Sequence, residues 1–352
     1  MPLSNARLAD LLYGASFEYT ENKAKALRRA GRYALVWPQE AAAVVAAGRS
    51  LTEFPAVGPW VARQITEWLE DPPELAEPDE LRTGFNTFAG AQTVLDDHPE
   101  YRQGLRGDLQ MHSTYSDGTE PIAGMAKAAL ELDYDYISIT DHSKGLRIAG
   151  GMNEERLAGQ IKEIDDLNER LAEMDTDFRV LRSIELNFGT DGEVDMEYDV
   201  LQQLDICVGS FHSKLRVQAD QTDRVMRAVR HPEVQIIGHP QGRMFGVRKG
   251  VQADWKAALE EGARYNKAFE INAQPNRQDF SIDMLQVAAT YPVMFSIGTD
   301  AHSIGELYNV DLSLAAAASA GIPKDRIINY LLLEELLGWV AQSRATARSL
   351  AG

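Results

Sequence analysis

Beyond residue 106, short apolar runs alternate with amphipathic stretches of helical period, and that alternation leaves few architectures open. GDLQM precedes EPIAGMAKAALEL, and YDYISIT precedes NEERLAGQIKEIDDLNERLAEM. FRVLRSIEL, QLDICVGSF and VQIIGH come next, then WKAALEEGARY, KAFEIN, SIDMLQVAATY and VMFSIGT. Strands that alternate with helices imply parallel pairing through helical crossovers. The seven runs of strand character predict a distorted seven-stranded TIM-like (β/α) barrel, with an open doubly wound sheet as the alternative.

The preceding residues have another character. LADLLY, KAKALRRAGRYAL, PQEAAAVVAAG and PWVARQITEWLED read as short helices separated by turn signals, which predicts a small all-α domain over 1–100. Residues 71–81, DPPELAEPDEL, are rich in proline and acids and read as a connector. A short helix within ELRTGFNTFAGAQTVL and a linker over 98–105 would lead into the second domain, 105–352.

Charge bears on partners. A formal net charge of -18 argues against a broad nucleic-acid-binding surface. Within 22–39, however, the charged residues are Lys23, Lys25, Arg28, Arg29 and Arg32, with no acid among them. They suit a local phosphate contact or a solvated helix face. The opening residues lack the basic-then-apolar build of a signal peptide, and no apolar run approaches the roughly 20 residues that cross a bilayer. The one cysteine, Cys207, sits in the apolar run LDICVGSF as a buried thiol. A cytoplasmic location is expected.

Metal-capable side chains gather at the predicted strand ends. Five of the seven histidines, His112, His142, His212, His239 and His302, end or follow such runs; His98 and His231 do not. Asp117, Asp141, Glu185, Glu270 and Asp300 occupy similar places. In a parallel barrel the strand C-termini converge on one face, so residues far apart in sequence would meet there. Imidazole and carboxylate together suit Zn²⁺, Mn²⁺ or Fe²⁺.

The motifs DLQMHSTYSDG, ISITDHSKGLRIAGGMNEERL, SIELN, GSFHS, GHPQGR, EINAQPNRQD and SIGTDAHS resemble the PHP (polymerase and histidinol phosphatase) superfamily. The resemblance is nearest to the C-terminal PHP domain of bacterial family X DNA polymerases and runs from residue 107 to at least 303. It implies two to three divalent metal ions. His112, Glu185 and Asp300 would hold one, with Glu185 bridging to a second held by His212 and His239. Asp117, His142 and His302 would hold the third. Where the family's first motif reads His-x-His, this chain has Gln110, whose carbonyl oxygen is a weaker donor than imidazole. Gln110 is expected as a retuned ligand, and Asp141 as a carboxylate orienting a neighbour.

The implied reaction is phosphoester hydrolysis, with His112, Glu185, Asp300 and Arg243 in catalytic positions. Arg243, Arg277, Arg147 and Lys144 suit the phosphate, with Asn272 and Asp279 shaping the rim. Residues 51–69 resemble a helix-hairpin-helix motif, with Phe54-Pro55-Ala56-Val57-Gly58 as the hairpin. Val57 and Gly58 would offer backbone N–H groups to a DNA phosphate, beside Lys23, Lys25, Arg28 and Arg29. No room exists between residues 71 and 107 for a polymerase palm and fingers, so nucleotidyl transfer is excluded. The expected activity is a metal-dependent phosphoesterase acting on nucleic-acid ends or nucleotides, as a 3′-5′ exonuclease in DNA repair would. The alternatives are a phosphatase of small metabolites and a non-catalytic DNA-binding accessory protein.

Overall fold

The computed structural model describes residues 3–73, 77–174 and 176–351; residues 74–76 of the acidic connector lie outside them. The chain opens with helices α1 (Asn5–Ala15), α2 (Glu21–Tyr33), α3 (Ala41–Ala46) and α4 (Pro59–Glu70). The Ser4 side chain caps α1 by accepting from the Arg7 N–H, and Pro59 starts α4, where its missing N–H costs nothing. Leu8, Leu12, Leu27, Trp37, Val44 and Ile65 face inward and form one apolar core.

Helix α5 (Phe88–Asp97) belongs elsewhere. Its Ala91 and Leu95 join the main core of the C-terminal region, and Gln92 donates to Asp311 at 2.7 Å. Residues 88–97 therefore pack with the strands and helices C-terminal to them.

Among the described residues there are eight strands in two parallel sheets. The chain runs β1 (Gly107–Met111), α6 (Ile122–Glu131), β2 (Tyr136–Ile139), α7 (Glu154–Glu173), β3 (Arg179–Arg182) and β4 (Glu185–Asn187). It continues with α8 (Tyr198–Leu201), β5 (Val208–Ser210), α9 (Thr222–Arg230), β6 (Ile236–Gly238), α10 (Trp255–Arg264), β7 (Ala268–Asn272) and α11 (Ile282–Ala289). β8 (Met294–Gly298), α12 (Val310–Ser319) and α13 (Leu333–Ala351) complete it. One sheet has the order β1-β2-β3 and the other β4-β5-β6-β7-β8.

The expected count of seven is corrected at one place. FRVLRSIEL is two strands: β3 pairs with β2, whereas β4 pairs with β5. Ser183 and Ile184 separate them, and single bridges then link the sheets at both margins, His142 to Glu185 and Met111 to Ala301. Below the strand ends, Leu109, Tyr136, Leu181, Val208, Ile236 and Ala268 share a core with Leu336, Trp339 and Val340 of α13. That end is filled, which leaves the C-terminal strand ends as the open face. Among the described residues no helix is long and apolar enough to cross a membrane.

The N-terminal helices dock on the loops of that open face. Phe245, in the loop after β6, is buried in their core against Tyr13 and Phe85, with ring centroids 5.6 and 5.2 Å away. The Tyr13 hydroxyl donates to the Gly246 carbonyl at 2.8 Å. Gly246 has φ +66, and a Cβ there would lie 2.4 Å from the Tyr13 ring, so only glycine fits. Gln278 adds a second clasp, exchanging hydrogen bonds with the Asn86 backbone at 2.7 and 2.8 Å.

Replacing Phe245 with alanine empties the centre of this contact. The N-terminal helices should lose about 3–5 kcal/mol of stability. Urea unfolding followed by tryptophan fluorescence reads this directly, since Trp37, Trp60 and Trp68 all lie in that layer. A loss under about 1 kcal/mol would show that Phe245 is not the anchor.

Candidate metal centre

Glu185 sits at the first position of β4 with no exposure, and imidazoles surround it. Its Oε1 lies 2.8 Å from His239 Nε2 and 3.3 Å from His212 Nε2; its Oε2 lies 3.0 Å from His142 Nδ1 and 3.5 Å from His112 Nε2. Each partner comes from the end of a different strand: β1 supplies His112, β2 His142, β5 His212 and β6 His239.

Two further gatherings adjoin it. Asp300, just past β8, stands 3.1 Å from His112 Nε2. Asp117 Oδ1 faces His302 Nε2 at 3.2 Å, His142 Nε2 at 3.6 Å and His112 Nδ1 at 4.0 Å. The donor atoms thus form three overlapping sets: His112, Asp117, His142 and His302; His142, Glu185 and His212; and His112, Glu185 and Asp300. His239 joins the second through its contact with Glu185. Eight of the nine expected ligands are brought together, although His142 stands between two sets that the sequence kept apart.

Local backbone builds this geometry. Asp141 accepts from the Ser113 N–H at 2.9 Å, from the Ser113 and Ser116 hydroxyls at 2.5 Å each, and from Gln160 at 2.6 Å. These bonds tie the loop that carries Asp117 to the end of β2. Gly118 permits the loop's close approach to His112, since a Cβ there would lie 2.7 Å from the His112 carbonyl. Asp300 (φ 54) and His239 (φ 25) occupy the left-handed region, which L side chains adopt at a cost of order 1–3 kcal/mol.

Burial and close partners set the charges of the cluster. Burial alone would raise the Glu185 carboxyl, but His142 and His212 outweigh it and hold it well below the usual range. Burial opposes ionisation of Asp300 too, and Arg277 with His112 reverses that. Burial, with Arg277 beside it, pushes the His239 imidazole down to about 4, keeping it in the neutral form that ligates metals. His302 goes the other way, up to about 9, because the Asp117 hydrogen bond and Asp300 outweigh burial. His112 Nδ1 is buried among these donors with no hydrogen-bond partner. A buried polar atom left so is costly, and a cation in the Asp117 set would satisfy it. The mixed imidazole and carboxylate donors fit divalent cations.

Gln110, expected as a retuned ligand, is buried on β1 beside the cluster. With its amide nitrogen turned toward Glu270 it donates to both carboxylate oxygens, one of them at 3.1 Å. Burial and the nearby Asp300 push the Glu270 carboxyl well up, so a neutral amide donor suits it there. Gly298 leaves the space, since a Cβ would sit 2.0 Å from Glu270 Oε1.

The basic residues divide. Arg277 reaches the cluster, with Nη1 2.5 Å from Asp300 Oδ2, and Asn272 donates to the same oxygen at 3.2 Å. Arg243, expected in a catalytic and phosphate-binding place, does not. Its guanidinium donates to the Thr83 carbonyl at 2.8 Å and lies 3.9 Å over the Phe85 ring, so it ties the two parts of the chain together. Asp279, expected at the rim, instead accepts from the Gln241 and Arg243 N–H groups. Lys144 pairs with Glu154 at 2.5 Å, and Arg147 is exposed on the loop after β2. Sequence reasoning missed Asn187, whose Oδ1 is 3.2 Å from His212 Nδ1, and Asp195, which holds Ser143 and Gly145. Asn187 stood two residues past Glu185 in SIELN, and its register on β4 was the available signal.

In the hairpin at 54–58, Ala56 takes φ 64, the conformation for which glycine is usual. Val57 is buried and its N–H donates to the Phe54 carbonyl, so Gly58 is the exposed residue before α4. Lys23, Lys25, Arg28 and Arg29 are exposed along α2. Lys23 lies 5.1 Å from the Trp60 ring, and Arg28 donates to Ser16 at 3.2 Å.

The chain is 38% identical over 234 residues to the DNA polymerase/3′-5′ exonuclease PolX of Bacillus subtilis, covering 66% of this chain and 40% of that protein. It is 28% identical over 160 residues to a probable phosphatase of Shewanella oneidensis, covering 43% of this chain and 61% of the relative. The matched part of the chain is similar to part of the PolX protein and to part of the probable phosphatase. The chain thus spans less than two thirds of each of these two relatives. No protein-family model matches the chain. Among solved structures, the histidinol phosphate phosphatase of Lactococcus lactis overlaps 62% of this chain and 95% of its own, at 15% identity and a TM-score of 0.42.

Two substitutions separate ligands from bystanders. Glu185→Gln removes the carboxylate shared by two donor sets and should lower metal content by more than one equivalent, measured by plasma emission on the dialysed protein. Gln110→Leu should leave metal content unchanged. A fall with Gln110→Leu alone would place that residue in the ligand set.

Proposed function

We propose that the chain is a metal-dependent phosphoesterase that hydrolyses phosphoesters of nucleic-acid ends or nucleotides. The observation that carries this reading is the sharing of buried Glu185 among imidazoles from four strands, with Arg277 at its edge. Two to three ions, Zn²⁺, Mn²⁺ or Fe²⁺, would be held by His112, Glu185 and Asp300, by Glu185, His212 and His239, and by Asp117, His142 and His302. Such ions activate water and neutralise phosphate charge.

The chain's own residues do the rest. Arg277 keeps Asp300 ionised through Nη1, and the part-exposed guanidinium would offer its remaining N–H groups to a phosphate oxygen. Asn272 holds Asp300 Oδ2, which leaves Oδ1 facing His112. Asn187 orients the His212 ring, as partners of ligating histidines do.

The two sheets form a distorted barrel around this centre. A helical unit ending near residue 86 and a PHP unit from there to 352 make the domain organisation, with α5 in the second. The helical unit, with its helix-hairpin-helix-like turn, engages DNA in a repair context in the cytoplasm. The PolX relative supports the nucleic-acid substrate, and the relatives named as probable phosphatases support a phosphomonoester as the second reading.

Hydrolysis of p-nitrophenyl phosphate, bis(p-nitrophenyl) phosphate and a 5′-labelled oligonucleotide distinguishes these substrates. Turnover should require Mn²⁺ or Zn²⁺ and stop with EDTA. Asp300→Asn should cost at least about a hundredfold in kcat, and Arg277→Met about tenfold or more in kcat/KM. Absence of turnover on all three substrates with any of these metals would end the enzymatic reading.

A further inference from the structure

A cleft of about 640 Å³ opens between the N-terminal helices and the rim of the metal centre. Arg29, Arg32 and Tyr33 from the end of α2 line one wall; Pro275, Glu306 and Tyr308 line the other. That second wall belongs to the site. Pro275 is two residues before Arg277, and Glu306 accepts from the His302 N–H at 2.7 Å. The cleft therefore starts where the donor sets end.

Its lining combines fixed positive charge with exposed aromatic faces. Among the described residues neither Arg29 nor Arg32 makes an ion pair, although the chain carries a net charge of -18 and most arginines elsewhere have acidic or carbonyl partners. Tyr33 is 38% and Tyr308 58% exposed, each with its hydroxyl free of any protein partner among the described residues. Arg29 lies over the Tyr33 ring at 5.6 Å, which holds that guanidinium at the wall. The only carboxylate among these lining residues, Glu306, is occupied by the His302 backbone.

We infer that this cleft is a binding track for single-stranded nucleic acid leading into the metal centre, with Arg29 and Arg32 on backbone phosphates and Tyr33 and Tyr308 stacking bases. The inference rests on the proposed phosphoesterase reading and adds what that reading lacks, a place for the strand beyond the scissile bond. Cationic grooves interleaved with aromatic side chains bind single strands because every base offers a face to stack and every linkage a charge to pair. A cleft of this volume takes a ligand-sized piece of chain. The docking of Phe245 and Gln278 sets the width, since it fixes α2 over the loops that carry Pro275 and Tyr308.

The test uses the full chain in EDTA, so that binding is read without turnover. Fluorescence anisotropy of a fluorescein-labelled oligo(dT) should show salt-sensitive binding. Arg32→Glu should weaken it at least about tenfold and flatten the dependence of log K on log salt by roughly 0.7. Tyr308→Ala should weaken it about fivefold to tenfold, as loss of a stacking platform does. Hydrolysis of p-nitrophenyl phosphate with Mn²⁺ should stay within about twofold in both variants. Unchanged oligonucleotide affinity in either variant, equal affinity for a blunt duplex, or no binding at all would overturn the track. If binding behaves as expected and no substrate is hydrolysed, the track stands and the phosphoesterase reading falls; the converse result reverses that.

Discussion

A carboxylate with no exposure to water, shared by four imidazoles, sets the terms for the rest of this molecule. Burying charge is expensive unless it is paired. Glu185 is paired from every side, and the pairing demands that β1, β2, β5 and β6 end at one level. The break between β3 and β4 arises from the same demand. By ending one ladder and beginning another, the chain places Glu185 beside His142 through a single bridge. Left-handed backbone at Asp300 and His239 is part of the same arrangement. Such strain persists where the surroundings over-determine it, and here the surroundings are the neighbouring donors.

Around that centre the polar residues act in layers of decreasing charge. Arg277 and Asn272 hold Asp300, Asp141 holds the loop bearing Asp117, and Asn187 steadies His212. Glu270 lies in the same pocket yet is turned away, satisfied by Gln110, by Asn272 and by the His239 N–H. The neutral amide of Gln110 thus gives the Glu270 carboxyl group a hydrogen-bond partner beside the cation donors.

The N-terminal helices are bound to the loops of the open face, and to that face in particular. Phe245 enters their core, Arg243 crosses to Thr83 and Phe85, and Gln278 clasps Asn86. All three contacts come from loops after β6 and β7, so the elements that form the centre also hold the helices beside it. The basic face of α2 consequently meets the site's rim across a cleft.

The alternation of runs and helices, the parallel pairing and the convergence of His112, His142, His212, His239 and His302 were legible in the amino-acid order. Period-two and period-3.6 patterns are local, and a parallel arrangement sends every strand end to one face. The division of FRVLRSIEL was not legible, because both halves are apolar and only pairing partners distinguish them. Nor was the role of Arg243, since a guanidinium after a strand end reads the same whether it points at a phosphate or at Thr83. Gln110 shows the limit most plainly. Its place in the first motif marks it as a ligand, while the direction of its amide depends on Glu270, 160 positions away. The sequence by itself determined which chemical groups reach the face, because that is set by period and chain direction. The tertiary structure alone decided which of them touch, because contact depends on rotamers, on backbone such as φ 54 at Asp300, and on neighbours from other strands.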